Sequence, residues 1–272
     1  TNNFLQAQKV IFMKQYPHTT RILVATDCII FGFDGEELKL LLIKRNFEPE
    51  KERWSLMGGF LQPEEDLEAG ANRILYDLTG LRDIYVEQLG AFGEVVRDPV
   101  ERTLSVAFFA LVNIHDQDQE ALDAHHAQWI SLRKKPKLIF DHDRMVAMAL
   151  DRLRYKAALH PLGVELLPEQ FSIPQLQKLY EAIYDMRLDR RNFSRKILST
   201  GLLIDTGLKN KNSTNKKAVL YKLDKEKYDR KFNDFWHFMP TPAPSSPLES
   251  TDLAIRKRAK LQIAKSKGQE AI

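Results

Sequence analysis

The sequence predicts an α+β fold that is divided into two compact domains. The length of 272 residues suits two cores better than one, and the hydrophobic content of 43% is enough to fill them. Strand and helix patterns mix without strict alternation in the first part of the chain. Charge divides the chain as well: residues 1–170 carry 20 Lys and Arg against 26 Asp and Glu, whereas residues 171–238 carry 15 against 8.

Strands are predicted in the first domain, over 21–160, from β-branched and aromatic residues, turns and short apolar runs. They cover residues 22–33, 38–45, 85–91, 103–112 and 128–131, and 54–60 is a short apolar stretch with two glycines near its end. One helix is predicted over 63–78, with Gly80 as its C-cap, and another begins after its N-cap Asp141. Residues 1–20 are polar without a clear period, and we interpret them as an N-terminal arm.

Two short helices across a tight turn predict a helix-turn-helix in the second domain, over 161–238. The predicted elements are, in order, helices over 173–184 and 190–200, an apolar segment over 202–205, a loop over 206–217 and a strand over 218–223. Ser172 and Asp189 are the predicted N-caps. A loop and a strand after the two helices are typical of a winged helix, in which the loop is the wing. Residues 239–272 are predicted to be a disordered Pro- and Ser-rich linker with a basic tail.

The basic second domain is predicted to bind DNA. In its second helix Phe193 and Ile197 lie four residues apart and face the core, while polar and basic residues occupy the opposite face. Arg and Asn can each make two hydrogen bonds to a base edge, and Lys in the wing can contact phosphates. The predicted DNA-binding residues are Arg191, Asn192, Ser194, Arg195, Lys196, Lys209, Lys211, Lys216 and Lys217. The alternative is a solvated charged face, and the net charge of +7 over 171–238 favours DNA.

The first domain contains the spacing of a Nudix box. The family pattern is Gly, five residues, Glu, seven residues, and then Arg-Glu-U-x-Glu-Glu-x-Gly-U, where U is a bulky aliphatic residue. The matching residues in this chain are Gly59, Glu65, Arg73, Asp77 and Gly80. The domain therefore resembles the Nudix family, and this resemblance implies an N-terminal Nudix-like α/β/α sandwich before the C-terminal winged helix-turn-helix.

Two of the three carboxylates that follow the Arg of the box are replaced in this sequence. The three Glu positions hold Ile74, Asp77 and Leu78. The carboxylates of the box hold divalent metal ions against a diphosphate, and oxygen ligands are those that Mg²⁺ needs. Because one shortened carboxylate should not hold such a cluster, we predict no metal, no cofactor, no catalytic residue and no hydrolase activity. Glu65 and Arg73 are expected to form an ion pair that pins the loop to the helix.

The resemblance extends to the Nudix-related transcriptional regulators. It is carried by residues 140–142, 166–168, 176–183 and 189–196, while 28–33, 44–49 and 54–59 look most like the arabinose-regulator branch. The resemblance implies a homodimeric repressor whose Nudix-like domain senses a small molecule and whose winged helices hold a palindromic operator of double-stranded DNA. The implied effector is L-arabinose or another sugar, and alternatively ADP-ribose, which would place the protein in NAD metabolism.

The candidate effector contacts are polar residues near predicted strand ends, and membership of a surface ion pair is the alternative role of each. They are Arg45, Asn46, Arg97, Asp98 and Arg102. A working Nudix hydrolase of ADP-ribose or a related nucleoside diphosphate and a Nudix-fold scaffold for RNA or protein are the competing functions. The sequence has no apolar run of membrane-spanning length, no signal peptide, and a single cysteine, Cys28. We therefore expect a cytoplasmic protein with no membrane partner.

Overall fold

The computed structural model describes residues 21–82, 84–159, 166–209, 218–228 and 230. The predicted N-terminal arm and the predicted C-terminal linker and tail therefore lie outside the described residues. The described residues up to Leu223 belong to one compact unit, and a second unit begins at Asp224. Within the described ranges, no helix is long and apolar enough to cross a bilayer.

A mixed sheet of seven strands forms the centre of the first domain in the part of the chain that the structure describes. Its strands are β1 (Leu23–Phe33), β2 (Leu38–Lys44), β3 (Trp54–Ser55), β4 (Met57–Phe60), β5 (Glu87–Phe92), β6 (Thr103–Asn113) and β7 (Gln128–Ser131). The order is β3-β2-β1-β6-β5, with β4 on β1 and β7 on β2. β1 pairs with β6 in parallel along its whole length, and the other pairs are antiparallel.

Helices cover both faces of this sheet. Successive side chains of β1 point to opposite faces, and the apolar side chains on each face are buried against helices. The helices of the domain are α1 (Leu67–Thr79), α2 (Gln119–Ala124) and α3 (His142–Leu159). Cys28 and Ile30 belong to the buried layer that contains the apolar residues of α1. Ile29 and Phe31 belong to the buried layer that contains those of α3. The predicted α/β/α sandwich is thereby confirmed.

Helix α1 begins four residues later than the predicted start at residue 63. Asp66 is its N-cap, because the carboxylate accepts a hydrogen bond from the Ala69 N–H. Glu65, directly before the cap, lies outside the helix, and its carboxylate bonds to Arg73 within the helix. Gly80 closes α1 at φ 74°, as its position in the sequence predicts.

The second domain has the predicted winged-helix order. Its elements are β8 (Phe171–Ser172), α4 (Ile173–Tyr184), α5 (Arg190–Ser199), β9 (Leu203–Lys209) and β10 (Val219–Leu223). The prediction of a loop over 206–209 is wrong, because these residues extend β9, whose Lys209 pairs with Val219 of β10. The Thr206 hydroxyl donates to the Leu220 carbonyl and ties the two strands together. The rest of the predicted wing, 210–217, lies outside the described residues.

The buried core of the first domain continues into the second. Leu153 and Ala157 of α3 belong to the same buried cluster as Leu179 of α4. Two hydrogen bonds join these helices: Arg154 Nε donates to the Ile183 carbonyl at 3.0 Å, and the Tyr184 hydroxyl donates to the Arg154 carbonyl at 2.9 Å. Helix α3 therefore packs on the sheet along one part of its length and on the helix-turn-helix along the other.

Candidate effector site and nucleic-acid interface

An ion pair fixes the loop of the Nudix box to helix α1. Glu65 accepts from Arg73 Nε at 2.8 Å and from Nη2 at 2.5 Å. The same carboxylate accepts from the Gln62 backbone N–H, and Arg73 also donates to the Phe60 carbonyl. Asp77 lies 3.5 Å from Arg73 Nη1. The predicted structural role of the Glu65–Arg73 pair is confirmed.

The hydrogen bonds from Arg73 and from the Gln62 N–H lower the pKa of Glu65 from 4.5 to about 2. A lowered folded-state pKa means that the stabilising contribution is complete above pH 4.5 and is lost as the pH falls towards 2. In Arg73→Gln we expect the pKa of Glu65 to return towards 4.5, measured by NMR titration of the carboxyl carbon. Arg53→Gln, which breaks the separate pair with Glu50, is the control and should leave the pKa of Glu65 low. An unchanged Glu65 in Arg73→Gln would contradict this assignment.

Two positions that carry Glu in the Nudix box point into the core. Ile74 is only 3% exposed, and its Cδ1 would lie 3.1 Å from a Cβ built on Gly59. Leu78 packs against the same buried layer. The side chain of Asp77, by contrast, is half exposed and lies close to Arg73. These positions therefore supply packing and an ion-pair partner.

A buried group of polar side chains lies where β1, β6 and the start of α3 meet, and we call it the Asp27 cluster. Its members are Asp27, Arg97, Ser105, Asp141 and His142. Arg97 Nε and Nη2 donate to the two oxygens of Asp141 at 3.0 and 2.8 Å. Arg97 Nη2 also lies 3.6 Å from Asp27, which accepts the Ser105 hydroxyl at 2.6 Å. Arg97, with its side chain only 3% exposed, is thus the cation between two carboxylates.

The segment that leads into the Nudix box touches this cluster directly. A Cβ built on Gly58 of β4 would lie 2.1 Å from Asp27 Oδ1, so glycine allows β4 to approach the carboxylate. The Leu56 N–H donates to His142 Nδ1 at 3.2 Å, and His142 Nε2 lies 3.5 Å from Asp27. The two strands that lead into the box are therefore tied to the first residue of α3.

Burial lowers the pKa of His142 below 6.5, although Asp27 and Asp141 favour the charged ring. The contribution of the neutral ring to stability is therefore complete above pH 6.5 and is lost as the pH falls below it. We expect the free energy of unfolding of the wild type to fall more between about pH 7.5 and about pH 5.5 than that of His142→Asn. The Asn oxygen can still accept the Leu56 N–H. Equal losses in the two proteins, measured by urea denaturation, would contradict this account, and the exposed His115→Asn is the control.

The five predicted effector residues differ in the contacts they make. Arg97 belongs to an ion pair, which is the alternative role, but this pair is buried and does not lie on the surface. Arg102 donates to the carbonyls of Gly93 and Glu94 and closes the segment 93–102 into a compact loop. Asp98 Oδ1 accepts the Val100 N–H inside that loop. Arg45 and the exposed Asn46 stand on the connection after β2.

Arg45 is the centre of the candidate effector site. Its guanidinium lies 3.8 Å from the ring centroid of Phe47 and 5.5 Å from that of Phe140. Burial lowers the pKa of Arg45, while the charges of Asp98 and Asp27 act in the opposite direction. The charges of the loop 93–102 and of the Asp27 cluster thus both favour the charged form of Arg45. A half-buried guanidinium with an exposed aromatic ring is suited to a phosphate beside a planar group.

Helix α5 presents the predicted DNA-binding surface. Asp189 caps it by accepting the Asn192 N–H, as predicted. Phe193 contacts Tyr180 of α4 edge to face at 5.5 Å, and Ile197 is buried. The other side of the helix exposes Arg191, Asn192 and Arg195, whereas Ser194 is half-buried. Lys196 is also exposed, but it lies beside Phe193 and Ile197. Arg195 Nη2 donates to Asn192 Oδ1 at 2.8 Å, so these two side chains form one polar unit.

The turn between α4 and α5 is fixed by side-chain hydrogen bonds. Glu181 Oε1 accepts the Leu188 N–H at 2.9 Å and Gln177 Nε2 at 3.0 Å. Gln177 Nε2 also donates to the Leu188 carbonyl. The Leu188 N–H and Gln177 hold the pKa of Glu181 below its ordinary value, so the charged carboxylate is favoured in the turn. These hydrogen bonds from α4 hold the turn that sets the orientation of α5.

In the predicted wing, Lys209 is exposed at the end of β9. The other predicted wing contacts, Lys211, Lys216 and Lys217, lie outside the described residues. The described part of the predicted wing, 206–209, therefore supplies one exposed basic side chain, that of Lys209.

An α/β/α domain with a Nudix box, joined to a winged helix with a basic recognition helix, defines a class of DNA-binding regulators. The NUDIX domain family matches residues 21–148, and the NrtR DNA-binding winged helix domain matches residues 163–223. The ADPR responsive transcriptional repressor NtrR of Acinetobacter baylyi is 32% identical over 234 residues, which cover 85% of this chain and 93% of the relative. The chain belongs to the NrtR-type family of regulators with a Nudix and a winged-helix domain, and it is a DNA-binding transcriptional repressor.

Two further comparisons agree with this assignment. The crystal structure of Shewanella oneidensis NrtR complexed with a 27mer DNA superposes with a TM-score of 0.64 at 29% identity and covers 76% of this chain and 95% of that one. The ADP-ribose pyrophosphatase of Methanocaldococcus jannaschii is 33% identical over 144 residues, which are 53% of this chain and 80% of the relative. The predicted family and fold are thus confirmed, but the arabinose-regulator branch receives no support from these relatives.

Proposed function

We propose that this repressor binds ADP-ribose in its Nudix domain and that ADP-ribose weakens its binding to operator DNA. The observation that carries the proposal is the 32% identity to a repressor that responds to this nucleotide. The match covers 93% of the length of that repressor. L-arabinose is the competing effector, and its support is limited to the likeness of residues 28–33, 44–49 and 54–59.

The chemistry around Arg45 suits the two parts of ADP-ribose. The guanidinium offers a planar set of donors to a diphosphate, and such charge-assisted bonds are among the stronger ones in proteins. Phe47, with 56% of its surface exposed, offers a face on which an adenine ring can stack. Asn46 and Asp98 add donors and acceptors for ribose hydroxyls. The Arg45 region therefore provides a cation, an aromatic face and hydrogen-bonding groups close together.

Calorimetric titration of the full chain tests this proposal. ADP-ribose is expected to bind, whereas L-arabinose is expected to give no heat. In Arg45→Met the affinity for ADP-ribose should fall by roughly 10- to 150-fold, because a charged hydrogen bond is lost. Arg82→Met is the matched control, since Arg82 lies over Tyr76 on another element. Binding of L-arabinose with no binding of ADP-ribose would overturn the proposal in favour of the sugar branch.

We also propose that the Nudix domain does not hydrolyse ADP-ribose. Hydrolysis is the second candidate function, and the identity of 33% to an ADP-ribose pyrophosphatase favours it. Against it stand the buried Ile74, the partly buried Leu78 that packs against the core, and the proximity of Asp77 to Arg73. We expect no release of AMP with Mg²⁺ or Mn²⁺. Turnover in the usual enzyme range of roughly 1–10³ s⁻¹ would establish the hydrolase instead.

The operator complex is proposed to contain two chains on a palindromic site. A dimer would place its two α5 helices in successive major grooves about 34–36 Å apart. We expect light scattering to give two chains per duplex, with a duplex selected from a random-sequence pool by the wild-type protein. One chain per duplex would contradict the dimer. Equal binding of selected and random duplexes would favour the alternative of a Nudix-fold scaffold for RNA or protein.

A further inference from the structure

Helix α3 connects the candidate effector site to the helix-turn-helix without interruption. Its first residue accepts the Leu56 N–H through His142 Nδ1, and the preceding Asp141 is held by Arg97 of the loop 93–102. Arg154, further along the same helix, is bonded to the end of α4 through its side chain and its carbonyl. Arg154 stands thirteen positions after Asp141 along the helix, so these two attachments are about 20 Å apart.

The loop 93–102 is closed on itself by hydrogen bonds, so a displacement at one of its residues moves the others with it. Arg102 donates to the carbonyls of Gly93 and Glu94, and Asp98 accepts the Val100 N–H. The guanidinium of Arg45, at the centre of the candidate effector site, lies 5.5 Å from the ring centroid of Phe140, which directly precedes Asp141. The charge of Asp98 also favours the charged form of Arg45. A ligand that displaces Arg45 therefore acts on the segment before α3 and on the loop whose buried residue Arg97 is bonded to Asp141.

At the other end, α4 carries the displacement to the recognition helix. Tyr184 donates to the Arg154 carbonyl, and Tyr180, one helical turn earlier, contacts Phe193 of α5. The turn fixed by Glu181 holds α4 and α5 as one body. A rotation of α3 therefore changes the direction of the base-facing side of α5.

We propose that Arg97, Asp141 and Tyr184 are positioning residues that couple the effector site to DNA binding through helix α3. This inference rests on the proposed ADP-ribose response. The buried position of the Arg97–Asp141 pair is what makes it a coupling element, because charges out of water keep a fixed geometry and are little screened. The Glu94–Arg144 pair joins the same loop to the same helix, but both side chains are 62% exposed. Exposed pairs contribute little, so this second pair should not carry the coupling.

Fluorescence anisotropy with the selected operator duplex, with and without saturating ADP-ribose, measures the coupling. The wild-type operator affinity is expected to fall by about 5- to 150-fold when ADP-ribose is bound. In Asp141→Asn and in Tyr184→Phe this factor should shrink by about 2- to 30-fold, with calorimetric ADP-ribose binding to the DNA-free protein retained. By linkage, the operator must weaken ADP-ribose binding by the same reduced factor. A merely structural loss of stability would not reduce this factor.

Glu94→Gln and Arg133→Met are the matched controls. Glu94 belongs to the exposed pair with Arg144, and Arg133 makes an exposed pair with Asp185 at the end of α4. Both variants should keep the wild-type factor. An unreduced factor in Tyr184→Phe, which retains the ring and loses one hydroxyl, would overturn the inference even if Asp141→Asn failed to fold. A wild-type operator affinity that ignores ADP-ribose would overturn the proposed function, and the inference with it.

Discussion

Replacement of Arg97 by Met is expected to lower the free energy of unfolding by about 3–5 kcal/mol. Arg97 lies between Asp27 and Asp141, whose side chains are 6% and 13% exposed. Removal of the cation leaves two buried carboxylates without their partner, and the penalty for an uncompensated buried charge exceeds the value of the pair itself. Urea denaturation at neutral pH, followed by tryptophan fluorescence, measures the loss.

Arg144→Met is the matched control for this prediction. Arg144 makes its pair with Glu94 in solvent, so the loss should stay within about 0–1 kcal/mol. Adding Asp27→Asn to Arg97→Met should recover part of the stability, because it removes one of the uncompensated charges. A loss below about 1 kcal/mol in Arg97→Met, or no recovery in the double variant, would show that Arg97 does not neutralise this cluster.

Most of the fold could be predicted because its signals are local. The caps Asp189 and Gly80 satisfy helix ends within a few residues of themselves, and the apolar stripe of Phe193 and Ile197 lies within one turn of α5. The predicted start of α1 at residue 63 is wrong although Asp66, whose carboxylate accepts the Ala69 N–H, is itself a local cap. The strand at 206–209 has no such local signal, since it is defined by its pairing with β10.

The Asp27 cluster could not be assembled from the sequence. Its members are separated by as many as 115 positions and meet only because β1 pairs in parallel with β6 and α3 packs on the same sheet. One signal was available: Asp27 stands within a predicted strand whose other residues are uncharged and mostly apolar. A charge that such a strand buries requires a partner. That rule demands a cation but does not say which one, so Arg97 was predicted as an effector contact.

Much of the likeness to the arabinose branch lies in residues that pack the core. Residues 28–33 are buried in the central sheet, and Leu56 and Met57 are in the core. Likeness in such segments reflects packing constraints that every member of the fold shares. The candidate effector residues belong to the connections around Arg45 and Asp98, where a short stretch of sequence carries no periodic signal.

Substitution of the exposed arginines of α5 is expected to reduce operator binding and sequence preference together. Arg191→Ala or Arg195→Ala should each cost about 1–3 kcal/mol on the selected duplex and relax the preference at one base pair. The reason is geometric: α5 buries Phe193 and Ile197, so the opposite arginines face a groove that receives the helix. Asn192→Ala should also weaken the contribution of Arg195, because the two side chains are hydrogen-bonded.

Lys209→Ala separates base contacts from backbone contacts. An exposed lysine at the end of β9 is expected to contact a phosphate, so its loss should weaken selected and random duplexes alike. The slope of log affinity against log salt should fall by about one contact. Arg191→Ala and Arg195→Ala proteins that bind both duplexes as the wild type does would mean that α5 is not the helix that reads the operator. For each variant that loses DNA binding, the ADP-ribose affinity is measured in the same preparation. A value equal to that of the wild type would show that the Nudix domain remains folded, so the lost contact lies at the DNA interface.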